Sequence, residues 1–168
     1  MTPAEQINYW ETVATRNRAI GHVAGSPESK RFFRMDIAEL EGDLRSRLKG
    51  LSLVIEHGED AEEDGLSDNP YIGQNFAFWV LHPVTRPDDY TGNNELRDLA
   101  YRVVWQIYTK LRNDKRKGIF RGFEPGTFTV TAFTDIEYSA VGYRATFKYK
   151  SPAPRELNPD EWFDETVA

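Results

Sequence analysis

Apolar residues near the N-terminus recur at Ile7, Trp10, Val13 and Ala14, the three- and four-residue spacing of one helix face. A start signal precedes them: Thr2 can cap, Pro3 suits the first turn and Glu5 completes a capping box. The stretch "GHVAGSPESK", rich in Gly, Ser and Pro, reads as a loop. A second helical stripe, Ile37, Leu40, Leu44 and Leu48, lies in "FFRMDIAELEGDLRSRLKG", with Asp36 and Glu39 as its capping box and Gly50 as its stop. The period then changes. "LSLVIEH" is a short strand and "IGQNFAFWVLH" a stronger one. The two faces of the stronger strand, Ile72, Phe76, Phe78, Val80 and Ala77, Trp79, Leu81, are both apolar. A strand of that kind is covered on both sides, by helices on one and by a further layer or a partner on the other.

The longest helical pattern follows, with Leu96, Leu99, Ala100, Val103, Val104, Ile107, Tyr108 and Leu111 on one face. It ends in "KLRNDKRKG", where cations suit the helix C-terminus and Gly118 stops it. "TFTVTAFTDIEYS" and "VGYRATFKYK" read as two closing strands. In the second, Val141, Tyr143, Ala145, Phe147 and Tyr149 alternate with Arg144, Thr146, Lys148 and Lys150, which predicts one buried face and one wet, basic face. The order helix, helix, strand, strand, helix, strand, strand predicts an α+β fold. Its largely antiparallel sheet is packed on one face by the long helix and the N-terminal helices. Residues 1–150 form a single domain in this reading. Ser151 to Pro154 lead off the last strand into an extended arm, 151–168, because Pro152 and Pro154 cannot extend a sheet interior.

Composition narrows the function classes. A chain of 168 residues is one domain with room for a real core. Its net charge of -6 argues against a general nucleic-acid coat. With no cysteine there are no disulfides, thiolate metal sites or thiol nucleophiles, which fits a reducing compartment. No apolar run approaches the ~20 residues that span a bilayer, and the polar, acidic N-terminus is not that of a signal peptide.

Charge is concentrated in three places. "EHGEDAEEDGLSDN", Glu56 to Asn69, carries seven carboxylates in fourteen residues. It does not keep the alternating register of a calcium loop. Like charges instead predict a solvated, extended connection that includes Glu62, Glu63 and Asp64. Lys110, Arg112, Lys115, Arg116, Lys117 and Arg121 form a basic cluster, which serves as helix-end capping or as a contact for phosphate or an acidic neighbour. The arm ends acidic and aromatic, with Trp162 and Phe163. Catalytic signals are weak. His57 and His82 end neighbouring strands near carboxylates, which would suit a metal, but their spacing matches no metal motif, and two surface histidines are the plainer reading. No serine stands in a G-x-S-x-G elbow, and "GIFRGFEPG" lacks the strand-loop-helix setting of a phosphate loop.

The strand-strand-helix-strand-strand order behind an amphipathic helix resembles the tail terminator and tail-completion (head-tail joining) proteins of tailed bacteriophages and phage-tail-like particles. The likeness rests on "DIAELEGDLRSRL" leading into "LSLVIE", on "LSDN" before "NFAFWVL", on the long helix, and on "GYRATFKYKSP" before an acidic-aromatic tail. It covers roughly Arg34 to Ser151 and is one of order and texture. It implies a structural protein of the virion tail or neck, assembled in the host cytoplasm, with no enzymatic role and no cofactor. Its partners would be copies of itself in a hexameric ring and tail tube, sheath or neck proteins, with DNA only passing through the lumen and no membrane contact. The residues expected at the subunit interface are Trp79, Lys115, Arg116, Lys117, Trp162, Phe163, Glu62, Glu63 and Asp64. Two other readings stand beside it: a different neck or baseplate adaptor or partner-binding module, and a small metal-dependent hydrolase using His57 and His82.

Overall fold

The computed structural model describes residues 2–34, 47–56, 60–63, 71–84, 86, 88–135 and 140–152. The capping box at the N-terminus forms as its residues predict. Thr2 Oγ1 accepts the Glu5 backbone N–H at 3.3 Å, and the Glu5 carboxylate accepts the Thr2 N–H at 2.7 Å. Two donors that a helix start leaves open are thereby satisfied. Helix α1 (Pro3–Arg16) then buries Gln6, Trp10, Val13 and Ala14.

Among the described residues, six strands and a second long helix follow: β1 (Phe32–Arg34), β2 (Ser52–Glu56), β3 (Asp60–Glu63), β4 (Tyr71–Pro83), α2 (Tyr90–Arg116), β5 (Phe123–Asp135) and β6 (Ala140–Pro152). They make one sheet in the order β1-β2-β4-β6-β5, with β3 also on β4. The β1–β2 pair is parallel and the remaining pairs are antiparallel. The sheet is therefore mixed but largely antiparallel, within an α+β fold.

Both helices pack on one face of this sheet. Trp10 of α1 lies parallel to Phe76, with ring centroids 5.2 Å apart, and meets Phe120 edge-on at 6.2 Å. From α2, Ala100, Val103, Val104, Ile107 and Leu111 join the same core, as do Leu53, Ile55, Phe78, Val80, Ala145 and Phe147 of the sheet. Asp89 Oδ1 caps α2 by accepting the Gly92 N–H at 2.9 Å. The helix stops at Gly118, whose φ of +75° is the left-handed conformation glycine adopts without a side-chain clash. A smaller cluster of Phe33, Leu48, Val54, Leu81 and Ala140, with Trp79 and Phe133 partly buried, covers part of the opposite face. The double apolar pattern of "NFAFWVL" thus has two covers inside the chain itself.

Several local expectations change. Phe32–Arg34, expected at the start of a helix, pairs instead with Leu53–Ile55. Strand alternation lets Phe32 join the main core and Phe33 the smaller cluster. Residues 35–46 of that expected helix, with Asp36, Glu39 and Leu44, lie outside the described residues; of its expected end, Arg47 is helical and Leu48 is buried in the smaller cluster. Asp60–Glu63, expected in a solvated loop, pairs antiparallel with Tyr71–Gln74. The cause is length: β4 has 13 residues, and β2 pairs only with Ala77–Leu81. The remaining edge takes an already extended acidic segment, and charge on an edge strand discourages further pairing. Strand β5 begins at Phe123, ahead of "TFTVTAF", because a bulge between Glu124 and Thr129 absorbs Pro125 and Gly126. There Thr127 Oγ1 accepts the Lys148 backbone N–H at 2.8 Å. Ser151 and Pro152, expected to leave the sheet, are the last rungs of β6, opposite Ile72 and Tyr71.

Candidate functional site

Three surface regions carry the charge and aromatic residues that the sequence singles out. The first is the polar part of the sheet face away from the helices. Arg144 grips Glu56 with two bonds, Nη2 to Oε2 at 2.7 Å and Nε to Oε1 at 3.0 Å. The Trp79 indole N–H donates to the same Glu56 Oε1. The guanidinium lies 5.5 Å from the Trp79 ring centroid, and Phe133 meets that ring edge-on at 4.8 Å. Hydrogen bonding to Glu56 raises the Arg144 pKa further above its ordinary value. Trp79, expected at a subunit contact, is therefore half-buried and already engaged within its own chain. The wet, basic alternation of β6 is borne out, with Arg144, Thr146, Lys148 and Lys150 all half-buried.

The second region is the end of α2. Lys115, Arg116 and Lys117 are exposed, and Lys115 Nζ donates to the Phe123 carbonyl at 2.6 Å. That bond ties the basic end to β5. A single cross-strand row then runs Asp60, Gln74, Tyr149, Phe123. The acidic strand therefore lies at one edge of this end of the sheet and the basic helix end at the other, three strand spacings or about 14 Å away. Glu62 and Glu63 sit in the same acidic strand, opposite Ile72 and Tyr71. Asp64, Trp162, Phe163 and His57 lie outside the described residues.

The third region is a groove of about 700 Å³ between α1, the end of α2 and the end of β6. Its floor holds Asp114, which is only 3% exposed although it lies near a helix C-terminus, where a carboxylate is disfavoured. Two donors compensate: the Tyr9 hydroxyl at 2.7 Å and Lys110 Nζ at 2.5 Å. Burial and then the bond to Asp114 push the Tyr9 phenol far above its ordinary pKa. Nearby, Lys150 Nζ donates to the Tyr71 hydroxyl at 3.0 Å and pairs with Glu124 at 3.1 Å, and these contacts raise its pKa.

His82 contacts the Pro83 carbonyl at 2.8 Å through Nδ1. Among the described residues, no three His, Asp or Glu side chains are grouped so as to hold a metal ion. Among them, too, no helix is long and apolar enough to cross a membrane. The Glu56–Arg144 and Tyr9–Asp114 pairs join residues 88 and 105 positions apart and leave no trace in the sequence pattern. Tyr101 and Trp105, 44% and 38% exposed on α2, do carry a sequence signal in their i, i+4 spacing, although they fall outside the expected interface residues. No protein-family model matches the sequence, and no curated protein matches it significantly.

Proposed function

We propose that this chain is a structural subunit that assembles head to tail with copies of itself into a ring, of the kind that ends a phage tail tube or joins tail to head. The observation that carries the reading is the row from Asp60 to Phe123, with acid at one edge of the sheet and the Lys115-tied helix end at the other. Charges of opposite sign on opposite edges favour a heterologous contact, and such contacts close into rings when their rotation allows. Glu62, Glu63 and Asp64 of one subunit then face Lys115, Arg116 and Lys117 of the next. The phage setting rests on the order and texture of the elements alone.

The test is mass in solution and in isolated particles. Wild-type protein should form a closed oligomer that dissociates with rising salt. Charge reversal at Lys115, Arg116 and Lys117 should abolish it, and simultaneous reversal at Glu62, Glu63 and Asp64 should restore it. A wild-type chain that is monomeric in both settings would overturn the reading. A specific partner other than itself would instead favour an adaptor, for which the exposed Tyr101–Trp105 pair offers a surface.

A further inference from the structure

The groove at the end of α2 has the character of a receptor for an acidic, aromatic peptide. Its rim carries Arg16 and Arg121, both exposed, and its lip carries Ile119, a large apolar side chain left 53% exposed. Tyr9 and Tyr149 supply aromatic wall. The floor charge, Asp114, is paired with Lys110, and Glu5 is the other carboxylate of the lining; against Arg16, Lys110, Arg121 and Lys150 they leave the groove net cationic. Pro152, where β6 ends, lines the same groove.

Beyond Pro152 the chain continues for 16 residues, 153–168. They contain Glu156, Asp160, Glu161, Asp164 and Glu165 against a single Arg155, a net charge of 1 − 5 = −4, around Trp162 and Phe163. That composition complements the groove in both charge and apolar character. The root of this arm is also well placed. Glu63, Tyr71 and Pro152 share one cross-strand row, so the arm starts about 10 Å, two strand spacings, from the acidic edge. The prolines at 152, 154 and 159 favour an extended chain, which at about 3.1 Å per residue carries Trp162 ~30 Å from its root. That reach is enough to carry the aromatic pair to a neighbouring subunit.

We infer that the arm 153–168 of one subunit docks in this groove of the next. Trp162 and Phe163 pack on Ile119 and Tyr9, and the arm carboxylates face Arg16 and Arg121. The inference rests on the head-to-tail ring proposed above and names its second contact.

Full-length chains, half of them labelled with heavy nitrogen, are mixed, assembled and treated with a zero-length carboxylate-to-amine crosslinker. Arm acids should join Lys110 or Lys117 between heavy and light chains. Trp162→Ala with Phe163→Ala, and separately Ile119→Asp on the groove side, should each raise the concentration needed for assembly by about thirtyfold. That factor corresponds to an interface hot spot of about 2 kcal/mol. The melting temperature of the subunit should not change. Crosslinks confined to single chains, or unchanged assembly in either variant, would overturn the arm contact. If wild type assembles and responds to charge reversal at Lys115 to Lys117 but not to the arm and groove variants, the ring stands and the arm contact falls. A wild-type monomer removes both.

Discussion

The two faces of the sheet are built on different principles. Under the helices, Trp10, Phe76, Phe78, Phe120, Phe123 and Phe147 form a nearly continuous aromatic cluster, each 3% exposed or less. On the other face a smaller apolar patch gives way to Glu56, Arg144 and Thr146, a set of paired but wetted polar groups. The first face holds the subunit together through burial, which grows with area and has no directional requirement. The second relies on a few directed bonds that water and salt weaken. The lesson is one of separation: stability sits under the helices, and the polar pairs of the open face lie where their loss costs the subunit little.

The comparison breaks first at the helix face. Ile107→Asp or Val103→Asp, at sites 1% exposed, should unfold the chain. An unpaired buried carboxylate costs several kcal/mol, against a total stability of about 5–15. A folded Ile107→Asp protein by circular dichroism would show that this face does not dominate. Trp10→Ala should cost about 3–5 kcal/mol in chemical denaturation, because it empties the centre of the aromatic cluster.

A more local probe is alkaline pH. Tyr9 holds its proton more tightly folded than unfolded. Its contribution is therefore complete below the unfolded phenol pKa near 10 and is lost as pH rises above it. The limiting slope is about 1.4 kcal/mol per pH unit. Tyr9→Phe should flatten that decline between pH 9 and 11, measured by urea unfolding. Equal slopes in the two proteins would remove Tyr9 from the account.

On the open face the effects should shrink. Arg144→Ala should cost about 1 kcal/mol, screened by salt, since Arg144 is 38% exposed and Glu56 21%. A double-mutant cycle with Glu56→Gln isolates the pair. The smallest effect is expected from Glu62→Gln with Glu63→Gln, which should leave the melting temperature within a degree or two while weakening assembly.

The helix face was largely legible in the sequence because its signals are periodic and local. The capping box at Thr2 and Glu5, the stripe from Leu99 to Leu111 and the alternation of Val141 to Tyr149 each announce their element. Strand β3 was not legible. Its residues have poor strand propensity, and what makes it a strand is the unpaired half of β4, a fact of tertiary length matching. Strand β1 was hidden by its brevity, since three residues carry no period. At the candidate site, the basic helix end could be read from sequence. The groove could not, because Tyr9, Asp114 and Pro152 meet only through the fold.

The order β1-β2-β4-β6-β5 places β6, the last of the described strands in the sequence, between β4 and β5. During synthesis β4 and β5 have no shared partner until Ala140–Pro152 emerges and inserts between them. The rows that set the acidic edge against the basic helix end run through β6, so a chain interrupted before residue 140 cannot complete them. Formation of the native sheet therefore waits for β6 and has long loops to close, the slow regime for folding. Only a chain that includes residues 140–152 can join β4 to β5.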